Sequence, residues 1–356
     1  MAQKIKSPIL NKRINTYGII STELACLSDK KLTELLDNAR IVSSGIGGQS
    51  ALLTIQGTTV FVKKIPLTDF ERKPEHVMST ANIFELPLFY QYGIGSYGFN
   101  AWRELSANIM ATNWVISGEC QQFPLMYHWR VLPSAQPKPM DAQELAELKR
   151  DVYYWNTSQA VRNRLLSLHN AQAHIILLLE YIPQTLYQWL EVELSKDAQA
   201  AESAIAFVET QLKTGITFMD SHNFQHFDAH FRNILTDGTL IYFTDFGLSL
   251  SLKFELSPAE IAFFKTHRSY DTAYTFGYFM YCIVIHLYGR NNWEQDLQEY
   301  LDGFKGEVAP FIASFIKRYA HIARASSAFF HKLQYETKTT PYPTHELEKL
   351  LTESNI

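Results

Sequence analysis

Residues 226–247 constrain the fold more than any other part of this sequence. They read His-Phe-Asp-Ala-His-Phe-Arg-Asn, continue as two short apolar runs separated by Thr-Asp-Gly-Thr, and end in Asp-Phe-Gly. An Asp-Gly pair between two apolar runs is typical of a tight β-hairpin. Because the strands of a hairpin run back to back, we expect Asp245 to lie near the loop that carries Asp228 and Asn233.

This order of residues resembles the catalytic loop H-R-D-x-x-x-x-N and the D-F-G segment of protein kinases. His226, Asp228, Asn233 and the triplet that begins at Asp245 match those motifs as they stand. The resemblance implies transfer of the γ-phosphoryl group of ATP to a hydroxyl, with Mg2+ as cofactor. It also implies that Asp228 takes the proton of the hydroxyl and that Asn233 and Asp245 bind Mg2+, which prefers oxygen ligands.

The resemblance further predicts an α+β, two-lobed protein kinase-like fold. Residues 1–40 should contribute one lead-in helix, from Asp29 to Asn38. Residues 41–183 should form an N-lobe built on an antiparallel sheet, with a helical insertion at about 133–172. Residues 184–356 should form a mainly helical C-lobe that contains the catalytic loop and the Asp-Phe-Gly triplet.

The predicted strand Val60–Ile65 contains two adjacent lysines. It resembles the V-A-I-K strand whose lysine binds the α and β phosphates of ATP. Side chains alternate between the two faces of a strand, so the register decides which lysine faces the nucleotide. Lys63 is the preferred candidate. Lys64 stays open as the alternative because the bulky Phe61 stands where the family has alanine.

In the family, that lysine pairs with a glutamate on a neighbouring helix. Periodic apolar residues predict such a helix from Phe99 to Val115, and Glu104 is its only acidic residue. Glu104 is therefore the expected partner. Glu85 is a competitor, and so are the exposed-looking Glu71 and Glu75.

Two further stretches are expected to contact ATP. The resemblance of the turn after residue 44 to the kinase G-x-G-x-x-G loop implies phosphate contacts from Gly45, Gly47, Gly48 and Ser50. Of these, Ser50 departs from the glycine of the family. The apolar strand that ends at residue 180 resembles the kinase hinge, which implies that the main chain at Glu180 and Ile182 binds adenine.

The residues around His230 leave the acceptor open between two classes. Asp228-Ala-His230-Phe-Arg-Asn233 also resembles H-G-D-x-H-x-x-N of aminoglycoside and choline kinase-like enzymes, which favours a small acceptor and a catalytic role for His230. The intact Asp-Phe-Gly and the strand lysine favour an atypical serine/threonine protein kinase of bacterial type, which is the preferred hypothesis. The alternatives are a small-molecule kinase and a nucleotide-binding pseudokinase scaffold.

Regulation and support of the catalytic loop can also be predicted. Phe227 stands where the family has an arginine that pairs with a phosphorylated activation segment, and a new helix already begins at Ser257. We therefore expect activity without phosphorylation of that segment.

Asp271 either braces the catalytic loop from beneath or caps a helix, and both interpretations stay open. His222 and His226 lack zinc-site spacing, so His226 is interpreted as a packed structural histidine.

The composition of the chain limits the classes of partner and the compartment that can be expected. A net charge of −4, with 32 basic and 36 acidic residues, gives no general attraction to nucleic acid. Cys26, Cys120 and Cys282 are scattered as in proteins of a reducing compartment. The N-terminus lacks the apolar core of a signal peptide, so we expect a cytoplasmic protein, in its own cell or, after export, in a host cell. The apolar stretch Ala273–Tyr288 is too short for a confident membrane span.

Overall fold

The computed structural model describes residues 7–45, 48–134 and 136–354, and these ranges contain twelve α-helices and ten strands. The helices are α1 (Pro8–Ala25), α2 (Asp29–Asp37), α3 (Ala101–Ser117), α4 (Ala142–Tyr154), α5 (Gln159–His169), α6 (Leu186–Leu194), α7 (Ala198–Ser221), α8 (Pro258–Thr266), α9 (Tyr270–Tyr288), α10 (Trp293–Leu301), α11 (Pro310–Tyr335) and α12 (Thr344–Glu353). The strands are β1 (Arg40–Gly45), β2 (Gly48–Ile55), β3 (Thr58–Leu67), β4 (Met126–Pro133), β5 (Ala173–Glu180), β6 (Gln184–Thr185), β7 (Phe224–Gln225), β8 (Ile234–Thr236), β9 (Ile241–Phe243) and β10 (Leu250–Ser251).

The chain is α+β and divides into two compact units. The first contains the residues up to Ile182 together with Asp245–Pro258, and the second contains Pro183–Thr244 and the residues from Ala259 onward. The sequence had grouped the Asp-Phe-Gly triplet with the C-terminal part of the chain. It belongs instead to the first unit, because its segment is bonded there: the Gln91 side-chain amide donates to the Leu248 carbonyl.

An antiparallel sheet of five strands, in the order β1-β2-β3-β5-β4, forms the centre of the first unit. The three antiparallel strands predicted for residues 41–65 are confirmed. On β3, Ile65 and Leu67 join the apolar core under α3, where they meet Trp102 and Leu105. The face of β3 that carries these residues is therefore the face covered by α3.

The first forty residues hold two helices, so the expectation of a single lead-in helix is wrong. The missed helix, α1, is capped by Ser7, whose side chain accepts a hydrogen bond from the Leu10 amide at 3.2 Å. It buries Leu10, Ile20 and Leu24. These residues share one face of the helix, but the apolar Ile9 and Ile19 are exposed, so the sequence shows little of the contrast that reveals an amphipathic helix.

The helical insertion predicted near residues 133–172 is present as α4 and α5. The Asp141 side chain accepts from the Glu144 amide, and the Glu144 side chain accepts from the Asp141 amide, both at 2.9 Å. This is the capping box that the sequence predicts. The insertion packs into the first unit through Arg164 of α5, which is buried.

The second unit is mainly helical. The apolar stripe predicted for α7 is confirmed, since its members are all buried: Ile205, Val208, Leu212, Ile216 and Met219. The hairpin predicted around Asp237-Gly238 is formed by β8 and β9, with Gly238 at a φ of 85° that favours glycine. Among the residues that the structure describes, no helix combines the length and apolarity needed to cross a membrane.

Candidate functional site

In the first unit, Lys63 lies between two carboxylates. Its Nζ is 2.6 Å from Glu104 Oε1 and donates to Asp245 Oδ1 at 2.7 Å. The side chains of Lys63 and Glu104 are 12% and 9% exposed, whereas that of Asp245 is 40% exposed. The structure thus brings together three residues that the sequence singled out, and it leaves one carboxylate partly open to solvent.

The register of β3 explains why Lys63, and not Lys64, enters this arrangement. Ile65 packs under α3, and Lys63 shares its face because alternate residues of a strand point the same way. Ser50 of β2 lies directly opposite Lys63. Lys64 pairs with Gln49 and Ile176 and belongs to the other face. The alternative lysine is therefore directed away from Glu104.

Electrostatics keep Lys63 charged in spite of its burial. Burial by itself lowers the pKa of Lys63, but the charges of Asp245 and Glu104 outweigh it and raise that pKa above its ordinary value. Burial also raises the pKa of Glu104, against the effect of Lys63. The two carboxylates therefore hold Lys63 in the charged state, and removal of this cation would leave Glu104 uncompensated.

Glu71, which looked exposed in the sequence, is fully buried and serves another purpose. Its Oε1 accepts from the Ala101 amide at 2.7 Å and lies 2.9 Å from Nη1 of Arg164. Its carbonyl accepts from the indole N–H of Trp102 at 2.9 Å. Glu71 therefore fixes the first turn of α3, which carries Glu104, and it is not a competing partner of Lys63.

The other two competitors of Glu104, namely Glu75 and Glu85, are exposed.

Close packing around the Asp-Phe-Gly triplet requires Gly98, which has a φ of 75°. A Cβ at Gly98 would collide with the main-chain carbonyl of Gly247. Asp245 itself has a left-handed backbone with a φ of 63°, a conformation that non-glycine residues rarely adopt.

In the second unit, the loop after β7 presents Asp228. Asn233 Nδ2 donates to Oδ2 of Asp228 at 2.9 Å and to its carbonyl at 3.1 Å. The Tyr274 hydroxyl donates to Asp228 Oδ1 at 3.4 Å, and His230 Nε2 lies 3.8 Å from the same oxygen. The carboxylate is therefore oriented by an amide and a phenol, and an imidazole lies beside it.

Asp271 braces this loop. Its carboxylate accepts from the main-chain amides of His226 at 2.6 Å and Phe227 at 2.8 Å. The alternative that Asp271 caps a helix is wrong, because α9 begins at Tyr270 with Ser269 as its N-cap. The buried His226 bonds through Nε2 to the Thr244 carbonyl at 2.8 Å, as expected of a structural histidine.

Phe227 of this loop is fully buried and has a φ of 63°. Its ring packs against Tyr270, Phe263 and His267, with centroids 4.6, 5.7 and 6.0 Å away. A bulky residue in this region of φ is strained, and the bond from its amide to Asp271 helps to hold it there. The loop is therefore anchored by apolar packing as well as by hydrogen bonds to Asp271.

Asp271 gives a pH-dependent prediction. Burial, aided by the charge of Asp220, raises its pKa from 3.8 to about 6, against the two amide hydrogen bonds. The folded state thus binds this proton more tightly than the unfolded state, and stability falls as pH rises from about 4 to about 6. At about 1.4 kcal/mol per pKa unit, Asp271 should cost the wild type about 1 kcal/mol between pH 5.0 and 7.5.

The Asp271→Asn variant lacks this titration and is the control. We expect urea unfolding to show that the wild type loses more stability than Asp271→Asn between these two pH values. Equal losses in the two proteins would show that the pKa of Asp271 is not raised on folding.

Asn233 and Asp245 have donor atoms that suit Mg2+. Since Asn233 Nδ2 donates twice to Asp228, its amide oxygen Oδ1 is the atom that could bind a metal. Asp245 binds Lys63 through Oδ1, and its Oδ2 is the second oxygen of a partly exposed carboxylate. Within the described ranges, no cluster of three or more His, Cys, Asp or Glu is arranged as a metal site. Mg2+ does not require such a cluster, because phosphate oxygens complete its coordination.

Most of the residues that are predicted to contact the nucleotide can be located in the structure. Gly45 and Gly48 pair at the tip of β1 and β2, whereas Gly47 lies outside the described residues. The Ser50 hydroxyl bonds to that of Ser43 at 2.7 Å. Glu180 is the last residue of β5, and Ile182 is buried two residues later.

Comparison with known proteins assigns no family to the chain. No protein-family model matches it, and no curated protein matches it in sequence. The chemistry of the site is therefore inferred from its own residues.

Proposed function

We propose that this protein is a Mg2+-dependent phosphotransferase of the protein kinase-like class, which transfers the γ-phosphoryl group of ATP to a serine or threonine hydroxyl. The observation that carries the proposal is Lys63 held between Glu104 and Asp245, at 2.6 and 2.7 Å. A cation fixed by a buried glutamate is suited to bind phosphate oxygens in a set direction. The first unit would correspond to the N-lobe and the second unit to the C-lobe.

The braced loop of the second unit supports the same chemistry. Asp228 would orient the acceptor hydroxyl and take its proton, while Asn233 holds the carboxylate in place. His230 would add a polar contact on the acceptor side of Asp228. Asn233 and Asp245 would hold Mg2+, which when bound neutralises charge on the phosphate oxygens.

The test is a transfer assay with the purified protein, γ-labelled ATP, Mg2+ and a whole-cell lysate that is then separated into proteins and small molecules. We expect label on serine or threonine of proteins and none when EDTA removes the metal. Label confined to small molecules would overturn the protein acceptor. If neither fraction carries label although the protein binds ATP, the pseudokinase alternative is correct.

Activity should not depend on phosphorylation of residues 245–258. This segment is held without phosphate: Glu255 Oε2 accepts from the Ser79 hydroxyl at 2.5 Å and from the Thr80 amide at 3.1 Å. In addition, Phe227 replaces the arginine that would pair with a phosphate. We expect phosphatase treatment to change the transfer rate by less than about twofold, since no charge-assisted contact is lost. A large loss of rate would contradict this prediction.

A cavity in the second unit favours a small acceptor as the second candidate function. Its volume is about 470 Å3, within the usual range for small-molecule sites. Six aromatic side chains line it, namely Tyr274, Tyr278, Tyr281, Trp293, Phe330 and Tyr335. Tyr274 also bonds to Asp228, so the cavity lies one side chain away from the proposed base.

The Gly277→Leu substitution separates the two acceptors. Gly277 lines the cavity, and a Cβ there would lie at an ordinary 3.6 Å from Ser326, so a larger side chain can extend into the cavity. Replacing glycine favours the helix itself, but added bulk beside α11 can cost about 1–3 kcal/mol, so Gly277→Ala, which leaves the cavity open, is the matched control for stability. If small molecules occupy the cavity, their KM should rise at least about tenfold because a side chain fills the space. Transfer to proteins should stay unchanged, and an unchanged KM for small molecules would remove the cavity from acceptor binding.

A further inference from the structure

Arg13 is a buried cation on α1, a helix that the resemblance to kinases does not predict. The residue is 8% exposed. Its Nε donates to Oε1 of Glu180 at 2.9 Å, and its Nη2 donates to Oε2 at 2.7 Å. A two-point contact between a planar guanidinium and a carboxylate fixes direction as well as distance.

The same guanidinium also fixes the chain that precedes β4. Nη1 donates to the Gln121 carbonyl at 2.8 Å, and Nη2 donates to the Phe123 carbonyl at 2.6 Å. The Leu125 amide donates to Glu180 Oε2 at 3.1 Å, while the Glu180 amide donates to the Leu125 carbonyl at 2.7 Å. Arg13 therefore joins two main-chain segments to the last residue of β5.

The last residue of β5 is where the proposed adenine contacts begin. Main-chain carbonyl and amide groups recognise a base through hydrogen bonds, which depend on direction. A small rotation at Glu180 would therefore misalign the main-chain groups of both Glu180 and Ile182. We infer that Arg13 is a positioning residue for the base: through the Glu180 carboxylate, it holds the main chain of residues 180–182 in the orientation that selects adenine. This inference rests on the proposed function, and Arg13 itself does not touch the nucleotide.

The packing of α1 allows the role of Arg13 to be tested apart from folding. Leu10, Ile20 and Leu24 are buried apolar anchors of the helix that are separate from position 13, so we expect α1 to stay docked in variants of Arg13. Loss of Arg13 alone would leave Glu180, whose side chain is only 14% exposed, without its cation. Replacing both residues at once, Arg13→Met with Glu180→Gln, removes the two charges together and avoids that penalty.

The experiment compares three ligands by calorimetry in the presence of Mg2+: ATP, GTP and inorganic tripolyphosphate. We expect the wild type to prefer ATP to GTP. In the double variant, the Kd for ATP should rise at least about tenfold and the preference should fall to within about twofold of unity, because direction is lost at the base. Binding of tripolyphosphate, which has no base, should change by less than about twofold.

Two controls accompany the double variant. Lys12→Gln alters the exposed neighbour of Arg13 on the same helix and should keep the preference for ATP. Arg13→Lys retains the charge but not the fork of N–H donors, and should give an intermediate preference.

The outcomes distinguish this inference from the proposed function. A wild type that selects ATP together with a double variant that keeps the same ratio of ATP to GTP affinity would overturn the role of Arg13 alone. Equal weakening of all three ligands would also overturn it, since a general loss of structure is not selective. A wild type that binds neither ATP nor tripolyphosphate would overturn both.

Discussion

Replacement of Asp228 by alanine should lower kcat about a thousandfold, within the range measured for loss of a general base. Affinity for ATP should change little, because the proposed contacts of the base and the phosphates come from other residues. The measurements are kcat for transfer and Kd for ATP in the same preparation. Undiminished turnover would remove Asp228 from its assigned role.

Asp228→Asn distinguishes loss of the base from loss of the loop. An amide oxygen at this position can still accept the hydrogen bond that Asn233 Nδ2 now donates at 2.9 Å. It cannot take a proton at neutral pH. We expect Asp228→Asn to be as inactive as Asp228→Ala but to unfold at the temperature of the wild type. If Asp228→Asn were fully active, the carboxylate would serve only to hold the loop.

Replacement of Lys63 by methionine should affect both stability and activity. Glu104 would remain in a buried site without its cation, and loss of one partner of a buried ion pair costs about 3 kcal/mol or more. Transfer should fall by a factor on the order of 100 to 1000, as when one fixed donor to a developing charge is removed. Urea unfolding and the rate of transfer are the two measurements.

Two further variants make this prediction specific. Lys64→Met changes the adjacent lysine on the opposite face of β3 and should leave activity near that of the wild type. The double variant Lys63→Met with Glu104→Gln neutralises the carboxylate that lost its partner, so it should regain most of the stability and none of the activity. If Lys64→Met were the inactive variant, the register of β3 would be wrong for the proposed site.

Local features of the structure could be predicted from the sequence because they depend on neighbours in the chain. The stripe of α7, the capping box of α4 and the β8–β9 hairpin each follow from side chains within a few residues of one another. The α+β character of the fold, which the structure confirms, was predicted from the resemblance to protein kinases. The loop from Asp228 to Asn233 belongs with these features, since its hydrogen bonds span five residues.

α1 marks the limit of this approach. It was missed because the exposed Ile9 and Ile19 blur its apolar face, and because a cation, Arg13, stands in the middle of the face that is buried. Glu71 is a second residue whose burial the sequence does not reveal. It lies in a polar stretch of sequence, yet Arg164 and the start of α3 bury it completely. No local pattern distinguishes such a residue from a solvated one.

The sequence by itself determined which residues are candidates for the proposed chemistry, because a carboxylate, an amide and a strand lysine can be recognised by type and order. The tertiary structure decided which of them meet. Lys63 reaches Asp245 across 182 residues, and Arg13 reaches Glu180 across 167 residues. Contacts of this length depend on strand register and helix packing, so the chain order that identifies the lysines does not indicate which one faces the carboxylates. The register of β3 made that choice, because the face carrying Ile65 must be buried under α3.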